Sequence, residues 1–143
     1  MSRSKLEGSI ELFGVSNGEK FSRRFFITKV LGEGAQVISY EAYHSEGSPG
    51  VLSEFYPYSA WTLERNSDGQ IVCPAEFDEA RSEFIESRDR FSALYTELIS
   101  LKRSDTSREL AVFIPPFEIY YGEDTVYIWN PMPSLYTFDK LCG

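Results

Sequence analysis

The chain has 143 residues, of which 42% are hydrophobic and 15% aromatic, so its composition is that of one folded domain with a core. Fourteen basic residues against 22 acidic ones give a formal net charge of −8, which argues against a nucleic-acid partner because phosphate backbones are bound by clustered cations. No stretch approaches the roughly 20 apolar residues of a membrane span, and no secretory signal is visible. We therefore expect a cytoplasmic protein without a membrane partner.

The sequence contains few residues that bind metals or act as catalytic bases. His44 is its one histidine, and the cysteines Cys73 and Cys142 lie far apart with no further ligands near them. A zinc site or a histidine-dependent triad needs more such residues. We therefore predict no metal site, free thiols, and a surface position for His44.

The first part of the chain predicts strands. Residues 1–8 are polar and expected to fray, residues 9–13 form a possible short strand, and Ser16-Asn17-Gly18-Glu19 predicts a turn. Two runs of alternating apolar and polar residues follow, at 21–31 and 37–43, and predict a pair of strands.

The middle of the chain predicts a third strand, a small hairpin and a helix. The strand is expected at 51–56 and the hairpin at 61–73, around the turn Asn66-Ser67-Asp68-Gly69. Apolar residues then recur every three or four positions from 77 to 102, which predicts one amphipathic helix or two joined by a bend.

The last part predicts two more strands, at 112–121 and 125–130, and a short helix at 135–141. Together the elements predict an α+β fold, with a five-stranded antiparallel sheet and one main helix on one of its faces.

The loop between the first two confident strands carries two glycines, Gly32 and Gly34. A dinucleotide-binding loop opens a helix, whereas the residues after Gly34 alternate like a strand. Two interpretations remain: an ordinary hairpin with glycine at positive φ, or a loop that covers phosphates between antiparallel strands, as in protein kinases.

The order of motifs resembles the N-terminal lobe of bacterial eukaryotic-type serine/threonine protein kinases. Leu31-Gly32-Glu33-Gly34 is similar to the start of their glycine-rich loop, and residues 38–43 are similar to the strand that leaves it. Gly50-Val51-Leu52-Ser53-Glu54-Phe55-Tyr56-Pro57 is similar to their lysine-bearing third strand. Residues 125–129 are similar to the strand that runs into the hinge.

This resemblance covers nearly the whole chain and implies two parts. Residues 1–20 would be an N-terminal extension with a possible short strand. Residues 21–141 would be a kinase N-lobe-like domain that carries a hairpin insertion at 58–74.

Several positions depart from the nucleotide site that the resemblance implies. Ser53 stands where the family has the lysine that holds the phosphates, and Leu94 where it has the helix glutamate paired with that lysine, although Glu97 lies one turn away. Val37 replaces the third loop glycine, and its branched side chain hinders the approach of a phosphate. The degenerate nucleotide-site positions are Gly32, Gly34, Val37, Ser39, Val51, Ser53, Leu94 and Asn130.

The sequence also lacks an H-R-D-type catalytic loop and a D-F-G motif, so the resemblance implies no catalytic residues and no phosphotransferase activity. We expect weak or absent ATP binding, no other cofactor, and a pseudokinase-like module for protein interaction or regulation. Val51, Leu94 and Tyr95 would form its interface with a second copy or another protein.

Two alternatives stay open. The chain could be the N-terminal fragment of a longer ATP-dependent phosphotransferase whose large lobe is not in this sequence, or a sensor that binds nucleotide without turnover. The acidic residues at the helix start suit the positive end of the helix dipole, with a carboxylate site for metal or acid–base work as the alternative: Glu76, Asp78, Glu79 and Glu83.

Overall fold

The computed structural model of the protein describes residues 3–44, 47, 49–60, 62–104 and 117–131. These residues form eight strands and one helix. In chain order they are β1 (Ser9–Ser16), β2 (Glu19–Glu33), β3 (Val37–His44), β4 (Pro49–Phe55), β5 (Glu64–Arg65), β6 (Ile71–Val72), α1 (Asp78–Ser104), β7 (Glu118–Tyr121) and β8 (Val126–Pro131). The short helix expected at 135–141 and the strand residues expected at 112–116 lie outside the described residues.

Six strands form a closed barrel in the order β1-β2-β3-β4-β8-β7, and all neighbours are antiparallel. The α+β class with one main helix is confirmed for the described residues, but the expected five-stranded sheet is wrong. The sixth strand is β1, which was expected to be short at most. Its pair Phe13↔Tyr121 with β7 closes the barrel.

β1 is a full strand because the turn after it favours a hairpin. Asn17 and Gly18 have φ angles of 53° and 79°, the backbone geometry that matches the twist of paired strands. β1 therefore pairs with β2 along its whole length, from Ser16↔Glu19 to Ser9↔Phe26. The alternate residues Ile10 and Leu12 enter the core.

The residues before β1 are ordered against the barrel, so the expectation that they fray is wrong from Arg3 onward. Leu6 is fully buried, and its backbone amide donates to the Tyr40 hydroxyl at 3.0 Å. The backbone carbonyl of Gly8 accepts from the amide of Ile27 at 2.8 Å. One buried leucine in a polar segment gives no periodicity, which is why the sequence pattern does not indicate this contact.

His44 is buried, at 5% exposure, and not at the surface as expected. The alternation of β3 that buries Tyr40 and Ala42 continues to this last strand residue. Its ring meets the ring edges of Phe25 and Trp129, with centroids 6.0 Å and 5.8 Å away. The aromatic barrel interior thus extends one residue further than the sequence indicated.

α1 is one continuous helix of 27 residues, so the two-helix alternative is wrong. Phe84 and Phe91 on its inner side stack on Phe55 at the end of β4, with centroid distances of 5.9 Å and 4.7 Å. Among the described residues, no helix has the length and apolar character needed to cross a membrane.

The β5–β6 hairpin is confirmed as an insertion outside the barrel, with the pairs Glu64↔Val72 and Arg65↔Ile71. Gln70 fastens it to the barrel. The Gln70 side chain donates to the Glu11 carbonyl at 2.8 Å and accepts from the Glu123 amide at 2.9 Å. The hairpin is therefore held in a fixed position beside β1 and the β7–β8 turn.

Candidate functional site

The expected nucleotide positions on the strands lie on the outer face of β3, β4 and β8. In β4, Leu52 and Glu54 point into the barrel, so Val51 and Ser53 belong to the opposite face. The cross-strand pairs on that face include Ser39↔Ser53 and Val51↔Asn130. The fold thus brings Ser39, Ser53, Val51 and Asn130 onto one surface.

Ser53 occupies the centre of this surface. Its hydroxyl oxygen lies 3.2 Å from that of Ser39, within hydrogen-bond distance. Two short neutral side chains therefore stand where the family resemblance places a lysine. A hydroxyl pair supplies neither the positive charge nor the reach that clasps phosphates.

The glycine hairpin joins β2 to β3 through a tight turn. The Gly34 amide donates to the Val37 carbonyl at 2.7 Å. Neither Gly32 nor Gly34 has a positive φ, so the ordinary-hairpin explanation of the glycines is wrong. A Cβ at Gly32 would meet nothing within 4 Å, and one at Gly34 would make an ordinary contact of 3.6 Å. The local backbone therefore does not require either glycine.

The tip of this hairpin is fastened to the segment after β4. The carbonyls of Ala35 and Gln36 accept from the amides of Tyr58 and Tyr56, each at 2.9 Å. These bonds fix the hairpin tip relative to the end of β4.

The base of the glycine hairpin is held by the N-terminal segment. The Glu33 carboxylate lies 2.9 Å from the Lys5 ammonium and 3.6 Å from the Arg3 guanidinium. Arg3 also donates to the Tyr56 carbonyl at 2.7 Å. The hairpin is thus tied at its base as well as at its tip.

The link between β4 and α1 is aromatic. In the described part of the chain, no ion pair joins these two elements, and the Phe55 ring with Phe84 and Phe91 makes the contact. Leu94, at the position of the family's glutamate, is 55% exposed, and Glu97 is exposed as well. The helix is therefore positioned without a charged pair.

The three expected interface residues do not form one contact cluster. Tyr95 is half-buried, with its ring centroid 5.0 Å from that of Phe91 and 5.1 Å from that of Phe117. Val51 is half-buried on the outer face of β4, and no described contact joins it to Leu94 or Tyr95. Leu94 is the residue of the three that is most open to solvent.

A buried polar network that the sequence analysis missed lies at one end of the barrel. Arg65 of the hairpin donates to both oxygens of Glu54, at 2.9 Å and 2.8 Å. The hydroxyls of Tyr40 and Tyr127 also donate to this carboxylate, at 3.2 Å and 2.8 Å. The Glu54 side chain is fully buried, so these four donated bonds replace its hydration.

The network shifts the titration of its members. Burial and the negative charge of Glu54 raise the pKa of Tyr40 and of Tyr127 above the usual value. Burial lowers the pKa of Arg65, but the hydrogen bonds and charge of Glu54 outweigh it and hold that pKa above its usual range. The one signal in the sequence was Glu54 itself, an acidic residue at an inward-facing position of an alternating strand.

The acidic residues at the start of α1 do not form a metal site in the structure. Among the described residues, no group of three or more His, Cys, Asp or Glu side chains comes together in a way that could hold a metal. Asp78 and Glu79 lie exposed in the first helical turn, where the helix dipole favours negative charge.

No known protein-family profile matches this chain, and no curated protein matches it. Among solved structures, the apo form of PpkA-294 is similar, with 24% sequence identity and a TM-score of 0.49 over 82% of this chain. The chain spans 38% of the length of that protein. A TM-score of this size does not assign a family, so the proposal of function rests on the geometry of the site.

Proposed function

We propose that this chain is a kinase N-lobe-like module that has lost nucleotide chemistry and acts by binding another protein. The observation that carries the proposal is the Ser39–Ser53 hydroxyl pair, 3.2 Å apart, at the position of the family's phosphate-holding lysine. Phosphoryl transfer depends on positive charge around the phosphates, and two neutral hydroxyls do not provide it.

The glycine hairpin supports the kinase-like origin. Gly32 and Gly34 are not needed for the turn, since neither has a positive φ and a Cβ fits at both. Glycines at these positions keep the surface beneath the hairpin open, which is their use in a phosphate-covering loop. Their retention beside Ser53 is what a degenerate nucleotide site would leave.

The contact between β4 and α1 supports the non-catalytic part of the proposal. An active kinase N-lobe uses a lysine–glutamate ion pair across this junction to hold its helix in a catalytic position. Here Phe55 stacks on Phe84 and Phe91, and Leu94 stands at the glutamate position. The helix therefore stays in place without the pair that phosphate binding would strengthen.

The interaction role is supported by the exposed part of α1. Leu94 is 55% exposed beside the half-buried Tyr95, in the second half of a helix longer than its contact with Phe55 requires. Val51 would extend the interface onto the outer face of β4. The partner is proposed to be a second copy of the chain or another protein.

The test is light scattering of the wild-type protein across concentration, together with the Leu94→Glu variant. The wild type is expected to self-associate, or to retain a protein partner in affinity capture, and Leu94→Glu is expected to abolish that association because it places a charge in the interface. Ala93→Glu is the matched control, since Ala93 is also exposed but points about 100° away around the helix.

Equal loss of association in both variants would mean that added charge, not the Leu94 surface, is responsible. A wild type that stays monomeric and retains no partner would overturn the interaction role. Saturable binding of ATP with magnesium would instead support the sensor or the phosphotransferase fragment.

A further inference from the structure

A narrow cleft lies between the loop after β4 and the first half of α1. Its volume is about 110 Å³, and Pro57 and Phe84 form part of its apolar wall. Thr62, Glu83 and Ser87 line the same cleft and bring side-chain oxygens to it. The cleft thus combines an apolar wall with three groups that accept hydrogen bonds.

The Thr62 hydroxyl is the group in this cleft that lacks an explanation from the fold. Thr62 is 4% exposed, and within the described ranges its Oγ1 has no hydrogen-bond partner. Buried hydroxyls in folded proteins are nearly always hydrogen-bonded to protein, water or ligand. A group that enters the cleft is well placed to supply the missing bond.

Charge decides which kind of group fits. Glu83 is exposed on α1 and takes part in none of the ion pairs between described residues, and the exposed Glu79 and Glu86 lie one turn on either side of it. A cation is attracted by these carboxylates, whereas an anion is repelled. A lysine ammonium also offers three donors and no acceptor, which matches a cleft of acceptors.

We infer that this cleft binds a lysine side chain of a partner protein. The ammonium would lie among Glu83, Ser87 and Thr62, and the methylene stem would pack on Phe84 and Pro57, as lysine stems do on apolar surface. The cleft is then a specific docking site on the helix.

The inference deepens the proposed interaction role and rests on it. Ser87 and Leu94 are two helical turns apart on α1, which is about 10 Å. A partner segment that carries a lysine and an apolar side chain about this far apart would contact the cleft and Leu94 together. The cleft thus adds a charge requirement to an interface that Leu94 alone would make purely apolar.

The experiment uses two small probes, N-acetyl-lysine-methylamide and N-acetyl-norleucine-methylamide, and follows the backbone amide signals of the protein by NMR. The lysine probe is expected to shift the signals of residues 59–62 and 80–87 saturably. The norleucine probe has an uncharged stem of similar length and is expected to bind roughly tenfold more weakly.

Variants assign the binding to the cleft. Glu83→Gln is expected to weaken binding of the lysine probe roughly tenfold, and Thr62→Val several-fold. Glu79→Gln removes the same charge from the same helix outside the cleft and is expected to leave binding nearly unchanged. Because Glu83 is exposed, its variant keeps the test decisive even if Thr62→Val does not fold.

Equal weakening by Glu79→Gln and Glu83→Gln would overturn the inference, because diffuse attraction to acidic residues would then explain the binding. Absence of shifts at the cleft, or an unchanged affinity in Thr62→Val, would also overturn it. The Leu94→Glu result is independent of these probes, so failure of the cleft leaves the proposed interaction role standing, and failure of that role does not imitate failure of the cleft.

Discussion

Arg65 donates two hydrogen bonds to Glu54, 2.9 Å to one carboxylate oxygen and 2.8 Å to the other, and the Glu54 side chain has no solvent exposure. The pair joins the inserted hairpin to the barrel interior. Arg65 uses its remaining donors on the carbonyls of Gly69 and Ser4, at 2.9 Å each, and on the Ser4 hydroxyl at 3.2 Å. One side chain therefore ties together the N-terminal segment, the hairpin and β4.

Removal of the arginine alone is expected to be severe. Arg65→Met leaves the Glu54 carboxylate buried without its cation, which is expected to lower the free energy of unfolding by about 3–5 kcal/mol. Glu54→Gln together with Arg65→Met removes the charge but keeps an acceptor for the Tyr40 and Tyr127 hydroxyls, so it is expected to cost less than Arg65→Met alone. Urea denaturation of the three proteins measures both values, and a double variant less stable than Arg65→Met would contradict this account.

The same network predicts a loss of stability in alkali. The pKa of Tyr127 is raised in the folded state, so its stabilising contribution is complete below the unfolded value of 10.0 and is lost as the pH rises through the folded value. The free energy of unfolding is expected to fall above about pH 10. Tyr127→Phe removes one such group and is expected to reduce the slope by up to about 1.4 kcal/mol per pH unit.

This prediction is checked by urea denaturation of wild type and Tyr127→Phe at a series of alkaline pH values. At neutral pH the variant is expected to be less stable by about 0.5–1.5 kcal/mol, because Glu54 loses one hydrogen bond. Identical alkaline slopes in the two proteins would show that Tyr127 does not control the transition.

The sequence predicted the strands whose alternation is regular, and it missed the features that depend on distant pairing. β3 and β4 were found because period-two patterns in 37–43 and 51–56 report one buried face each. Barrel closure depends on the pair Phe13↔Tyr121, between residues far apart in the chain. No local pattern carries that information.

The candidate site divides in the same way. Ser39 and Ser53 could be placed on one face, because alternation fixes the side of each strand residue once the strands are paired. The Glu54–Arg65 pair could not, because the hairpin turn decides where Arg65 points. Thr62 likewise gives no sequence signal, since the absence of a hydrogen-bond partner is a property of the packed structure.

The aromatic junction between α1 and the barrel gives a prediction for stability. Phe84 is 3% exposed and stacks on Phe55, so Phe84→Ala is expected to cost about 3–5 kcal/mol. Phe91→Ala is expected to cost less, because Phe91 is half-buried. Ser82→Ala, on the exposed side of the helix, is the control and is expected to change stability by less than about 0.5 kcal/mol. Denaturant midpoints with the reverse order for Phe84 and Phe91 would contradict the assigned helix face.

The last prediction concerns nucleotide binding at the outer face of β3 and β4. Loss of the phosphate-holding lysine removes charge-assisted contacts worth about 1.5–3 kcal/mol each, so ATP with magnesium is expected not to raise the melting temperature. Ser53→Lys alone is expected not to restore binding, because Leu94 offers no carboxylate to orient the new ammonium and Val37 still crowds the hairpin. Thermal-shift titrations of wild type, Ser53→Lys and Ser53→Lys/Leu94→Glu measure this. A saturable rise at micromolar ATP in wild type would contradict the prediction and make the chain a nucleotide sensor.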